Sequence, residues 1–342
     1  MSKANVLASL ATDVNELSSL ADQISEIEGA IEQANTNFHA IQSLPEIPEI
    51  PEIPPPVLSF RNKIINGDMR IDQRNAGSSV GPFAFADAGY KGVDRWFIAS
   101  DAMSSQRITG NAPSGFSHYL KLTKGPGVNI DIRQSVELPA MGQAGQFNVG
   151  SVWTLSFYAK SVDGNETLNF SSYFRTGIAS GDFTAISTPS SITLSTDWTR
   201  YSVLFTIDES PGSNDMCIAF GLNTTATELH LTGVQLEEGE VATPFEQRPY
   251  GVEEQLCKRY WCWGKFKVGG RATTGSGNRD NIFFSTTMRV HPTVYLSNEV
   301  KNGVGTTYPE IGGPNHFTVY WLGSVSSDHT TYYSEYSADA EL

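Results

Sequence analysis

Residues 151–160 read SVWTLSFYAK, a stretch of strict alternation. Trp153, Leu155 and Phe157 fall on one side of an extended chain, and Thr154, Ser156, Tyr158 and Lys160 on the other, because successive strand side chains point to opposite faces. Such a pattern predicts a strand with one face in a core and one in water.

The same character extends in both directions from this strand. Between residues 60 and 250, short runs rich in β-branched and aromatic residues are separated by turn residues. They include NKIINGDMRI, YKGVDRWFIA, SHYLKLTK, VNIDIRQSVEL, TLNFSSYFRT, SSITL, WTRYSVLFTI, DMCIAFGL and ELHLTGVQLEE. This number and spacing of strands predicts a β-sandwich of jelly-roll type. EEQLCKRYWCW (253–263) carries Leu256, Tyr260 and Trp263 at helical spacing and predicts a short connecting helix. Residues 264–342 return to strands (NIFFSTTM, TVYLSNEV, HFTVYWLG, TTYYSEYSADAEL), enough for a smaller second sandwich over 251–342. The aromatic group Tyr320, Trp321, Tyr332, Tyr333 and Tyr336 should divide between its core and its surface.

The N-terminal part is of another kind. Residues 4–44 contain no Pro and a single Gly, and their apolar residues recur at steps of three and four. Leu7, Leu10, Val14, Leu17, Ala21 and Ile24 follow one a/d register, and Leu20, Ile24, Ile27, Ile31, Ala34, Phe38 and Ile41 a second. The registers meet at Ile24 through a stammer. No other segment repeats this pattern, so residues 1–44 are expected to form a coiled coil between sister chains. Isoleucine at both a and d positions (Ile24, Ile27, Ile31) favours three strands over two.

PEIPEIPEIPPP (45–56) cannot be helical, since each Pro removes a donor and clashes with the preceding turn. Residues 45–59 are therefore expected to be a polyproline II linker of roughly 35–40 Å at ~3.1 Å per residue, with Ile47, Ile50 and Ile53 along one edge.

With 23 basic and 37 acidic residues the formal charge is −14. That balance disfavours nucleic acid and anionic membrane surfaces, both of which require clustered Lys and Arg. No apolar run approaches the ~20 residues of a membrane-spanning helix, and no secretory leader pattern is present, so a soluble, non-inserted protein is expected. Cys217, Cys257 and Cys262 match no redox or zinc spacing and are expected as reduced thiols. P-loop, GxGxxG and HExxH motifs do not occur, and no enzyme is expected. Carboxylate pairs such as Asp208/Glu209 and Glu237/Glu238 could serve glycoside cleavage only if they faced each other across a cleft of ~5–9 Å.

NKIINGDMRIDQRN (62–75), YKGVDRWFIAS (90–100) and LHLTGVQLEEGEVATPFEQRPYGVEEQLCKRYW (229–261) together resemble a family of phage tail and fibre proteins whose jelly roll is similar to carbohydrate-binding modules. The closing ADAEL (338–342) resembles their last strand. The resemblance implies a virion protein without catalytic activity: a tail fibre or adhesin that binds host-surface glycan. It leaves open a capsid fibre or decoration protein of structural role, and a polysaccharide depolymerase. Partners would be sister chains in a homotrimer, other virion proteins of tail, baseplate or capsid, and a host cell-surface glycan. The resemblance also implies a possible structural Ca²⁺, for which Asp68, Asp94 and Glu237 are the candidates. Alternation nominates a single polar and aromatic sugar-binding face made of Tyr158 and Lys160 on one strand, Asn169, Tyr173 and Arg175 on the next, and Asp131 and Arg133 on a third. Trimerisation is assigned to Leu10, Val14, Leu17, Ile24, Ile27, Ile31, Phe38 and Ile41.

Overall fold

A computed structural model describes residues 2–42, 60–82, 89–98, 102–125, 129–138, 147–175, 183–187, 190–210, 217–324 and 327–341. The chain divides into two units, Met1–Pro56 and Val57–Leu342.

The first unit contains one helix, α1 (Lys3–Gln42), uninterrupted over the residues whose lack of Pro favours it. Leu7, Leu10, Val14, Leu17, Leu20, Ile24, Ile27, Ile31 and Phe38 are all exposed on the single chain. A helix bearing this much uncovered aliphatic surface gains little from its own sequence, because most helical stability in proteins comes from packing an apolar face. The side chain of Ile41 and the polyproline stretch 45–56 lie outside the described residues.

Among its described residues, the second unit is all β apart from one short helix. Its first eleven strands are β1 (Phe97–Ile98), β2 (Met103–Thr109), β3 (His118–Lys124), β4 (Ile130–Glu137), β5 (Val152–Ser161), β6 (Thr167–Arg175), β7 (Phe183–Ala185), β8 (Ser190–Thr193), β9 (Thr199–Thr206), β10 (Cys217–Thr224) and β11 (Glu228–Glu238). They form two antiparallel sheets. One has the order β1-β4-β10-β6-β7, with β8 also pairing β6, and the other runs β2-β3-β11-β5-β9. Ile132, Phe170 and Phe174 of the first sheet meet Trp153, Leu155 and Phe157 of the second in one core. Burying each such side chain contributes about 1.5–3 kcal/mol, which fixes the register of every strand.

One expected strand is absent and a second is reduced to two residues. Across 62–73 and 90–96 the chain is irregular, and only Phe97–Ile98 pairs as a strand. The cause lies in the backbone: Asn66, Met69 and Arg95 adopt φ of 58°, 59° and 73°, a left-handed region that no strand tolerates. Buried side chains sustain it. Asn66 Nδ2 donates to the carbonyls of Ile71 (2.8 Å) and Asp94 (2.9 Å), while Asn62 Nδ2 donates to Val234 O at 3.1 Å.

Helix α2 spans Tyr250–Lys258, shorter than expected, and Cys262 and Trp263 belong instead to β12 (Trp261–Ala272). Next come β13 (Gly277–Phe283), β14 (Thr293–Asn302), β15 (Val304–Ile311), β16 (His316–Gly323) and β17 (Ser327–Asp339). They make two three-stranded sheets, β12-β17-β14 and β13-β16-β15, around a separate core. Trp321, Tyr332 and Tyr336 enter that core, while Tyr320 stacks on Tyr308 at 4.7 Å. Cys257 and Cys262 are free, buried thiols, with burial pushing Cys262 up to about 12. The side chain of Cys217 lies outside the described residues. Among the described residues no helix is long and apolar enough to cross a membrane.

Candidate functional site

The nominated face is divided between the two sheets. Tyr158 and Lys160 lie on β5, whereas Asn169 and Tyr173 lie on β6, and Asp131 and Arg133 on β4, in the opposing sheet. A single surface containing both tyrosines does not exist. Consecutive strands β5 and β6 are not hydrogen-bonded neighbours; the chain crosses the sandwich between them.

The β4-β10-β6 surface forms a coherent group of its own. Its register aligns Asn169, Asn223 and Asp131 in one row across the three strands, and Ser171, Gly221 and Arg133 in the next. Arg133 donates from Nε and Nη2 to Asp131 at 3.1 and 2.7 Å and sits 5.8 Å from the Tyr173 ring centroid. Tyr173 keeps only 9% of its surface exposed, whereas Asn169 is exposed. Gly221 contributes no side chain to the middle of its row, so polar groups flank a low central strand. Sequence reading missed Asn223 and Ser171, which acquire their place only through register. The side chain of Arg175 lies outside the described residues.

On β5, the expected wet positions Thr154 and Ser156 are buried, because the segment 239–244 covers them. Thr154 donates to Gly239 O at 2.7 Å, and Arg200 bridges Ser156 Oγ to Thr243 O. Of the four expected wet positions, only Tyr158 and Lys160 remain partly open.

The three calcium candidates are engaged separately. Asp68 pairs with Arg70 Nε at 2.9 Å, and its carboxyl is nonetheless raised to about 6 by burial. Asp94 accepts from the Gln73 backbone N at 3.0 Å and from its side chain, and burial raises it as well. Glu237 meets Arg61 Nε at 3.0 Å and accepts from Thr243 Oγ1 at 2.6 Å. Asp94 and Glu237 accept from protein donors, Asp68 pairs with Arg70 through Oδ2 alone, and no group of three or more His, Cys, Asp or Glu among the described residues is arranged to hold a metal. Glu237 is buried and Glu238 exposed, so this adjacent pair does not face itself across a cleft.

No protein-family model matches the chain, and no curated protein matches it. Several solved structures are similar to part of the chain. The enzymatically active domain of tailspike protein 4 from bacteriophage CBA120 is 13% identical at a TM-score of 0.34, over 52% of this chain and 22% of that one. The CBM22-1 xylan-binding domain from Paenibacillus barcinonensis is 15% identical at 0.30, over 49% and 99%. The CBM22-1–GH10 modules of a Clostridium thermocellum endo-1,4-beta-D-xylanase, complexed with xylohexaose, are 11% identical at 0.32, over 48% and 29%. No residue role is carried over from any of them. The chain is a mainly β protein, with a two-sheet sandwich, a smaller β module and one long N-terminal helix.

Proposed function

We propose that this chain is a non-enzymatic virion fibre subunit that trimerises through α1 and presents its sandwich to a host-surface glycan. The supporting observation is the β4-β10-β6 surface. There Asn169, Asn223 and the Asp131–Arg133 pair offer donors and acceptors on a rigid sheet, beside the buried ring of Tyr173. Amides and charge pairs fixed by strand register suit a ligand recognised through directed hydroxyls, as sugars are. The exposed Leu/Ile stripe of α1 supports the trimer, and the likeness of residues 62–75, 90–100 and 229–261 to phage fibre proteins supports a place in the virion.

The test is binding of the purified full chain to arrays of host-type polysaccharide, alongside the Arg133→Ala/Asn169→Ala variant. Lost binding with an unchanged melting temperature supports the surface, and undiminished binding removes it. Release of reducing sugar from any bound polysaccharide would overturn the non-enzymatic assignment. Immunogold labelling of particles distinguishes a tail fibre from a capsid decoration.

A further inference from the structure

The opposite sheet carries a cleft built around Tyr158. In register, Tyr158 stands between Arg200 on β9 and Thr232 on β11. Immediately after Thr232 the β11–β5 pairing shifts register, and Gly233 takes φ +63°. A Cβ at 233 would come within 2.6 Å of Phe116 Cζ and 3.0 Å of Tyr158 Cδ2. The bulge with its glycine therefore lets two rings settle onto bare backbone, a device that recurs beside functional sites. Phe116 packs 5.4 Å from Tyr158 and 5.1 Å from Phe245, at interplanar angles of 58° and 63°. These three rings, with Ser114, Arg200 and Gln247, line a cavity of about 390 Å³. That volume lies in the range of small-ligand sites, roughly 300–1,000 Å³.

Charge determines which ligand suits it. Arg61, Arg70, Arg95, Arg248, Arg259 and Arg279 each pair with a carboxylate. Arg200 has neutral partners, Ser156 Oγ at 3.1 Å and Thr243 O, and no carboxylate among the described residues pairs with it. In a chain of net charge −14 this cation at an aromatic cleft is unusual. Lys160, two residues along the same strand face, lies 5.3 Å from the Trp198 ring centroid and adds a second positive charge.

We infer that this cleft is a second glycan-contact site, selective for a carboxylated pyranose. The rings cover the C–H face of the sugar, Arg200 pairs with its carboxylate, and Ser114 and Gln247 meet its hydroxyls. The site shares no residue with the β4-β10-β6 surface, so either can fail alone.

The probes are methyl β-D-glucuronide and methyl β-D-glucoside, titrated into the full chain by NMR with saturation transfer. The glucuronide should bind at least about tenfold more tightly, as expected of a charge-assisted contact, and lose that margin at high salt. Saturation should pass to it from aromatic protons. Arg200→Gln should erase the discrimination, Tyr158→Ala should abolish the glucuronide margin, and Arg279→Gln, exposed on the smaller β module, should change neither. Equal binding of the two probes by the unaltered protein overturns the inference, whatever the variants do. So does a preference for the glucuronide that survives Arg200→Gln. A glucose 6-sulfate arm separates carboxylate selectivity from a general preference for anions, and equal affinity for the sulfate overturns the carboxylate assignment.

Discussion

Replacing Glu341 by Gln should loosen the contact between the two β modules by a measurable amount. Arg95 is wholly buried: its Nη1 meets the Glu341 carboxylate, its Nη2 donates to Ser135 O at 2.8 Å, and its guanidinium lies 3.5 Å from the Tyr260 ring centroid. Arg74 Nη2 reaches the other Glu341 oxygen at 3.1 Å. The clasp is continued by Ala340 N donating to Tyr260 O at 2.7 Å and by Arg289 Nε donating to Ala340 O at 3.0 Å. Removing the one carboxylate leaves a buried guanidinium uncompensated, at a cost of about 3–5 kcal/mol. At roughly 2–4 °C per kcal/mol for a unit of this size, the melting temperature should fall by about 6–20 °C. Scanning calorimetry measures it directly. The double variant Arg95→Met/Glu341→Gln removes both charges and should recover much of the loss, because an apolar replacement of a buried pair is often neutral. A Glu341→Gln protein melting within about 2 °C of the parent would refute the reasoning, since the pair would then be solvated.

Three further outcomes are expected. Burial pushes the His230 imidazole below its usual 6.5, although Glu228 accepts from its Nε2 at 2.6 Å and opposes the shift. The unfolded chain therefore binds that proton more readily. The stability His230 supports is complete above pH 6.5 and lost as pH falls through and below that value. Urea midpoints from pH 8 to 5 should decline less in His230→Gln, and parallel curves would exclude the effect. Gly233→Ala should cost about 1–2 kcal/mol from its left-handed backbone alone, with further loss from the contact with Phe116, read by thermal unfolding. An unchanged midpoint would mean that the bulge relaxes freely. Ile24→Asp/Ile27→Asp should reduce the sedimenting mass from that of three chains to that of one, and a parent protein already sedimenting as one chain would dismiss the coiled coil.

What could be read from sequence was whatever depends on local period. Trp153, Leu155 and Phe157 are in the core because alternation is a property of the strand itself, and α1 follows from forty residues without a breaker. The pairing of Tyr158 with Tyr173 failed because alternation orders residues along one strand and carries no information about which strands become neighbours. The stretches 62–73 and 90–96 were misread for a related reason. Their composition suits strands, but Asn62, Asn66 and Arg95 are buried and hold the backbone through hydrogen bonds to Val234, Asp94 and Ser135. Phe116, Arg200 and Phe245 come from three separate parts of the chain, and Gly233 within TGVQ was the only local sign that a strand there would bulge.

Placing polar surfaces on both sides of one sandwich has a mechanical consequence. Each sheet's inner face is committed to the shared core of Trp153, Phe157, Phe170 and Phe174, so neither outer face can shift without breaking packing that contributes several kcal/mol. A sugar bound to one sheet therefore meets preorganised groups, and it leaves the other sheet free for another part of the same polymer. Shallow surfaces of this kind bind single sugars weakly, since few groups touch each ring and water competes for every hydroxyl. On the proposed fibre reading, useful adhesion would come from repetition, with a helix that joins three chains turning modest contacts into a linked set. Effective concentration can raise the apparent affinity for a polymeric surface by about 10²–10⁴ without any new contact. The exposed aliphatic stripe of α1 and the polar outer faces of the sandwich would be complementary in that sense, because the proposed assembly through the first would multiply whatever the second holds.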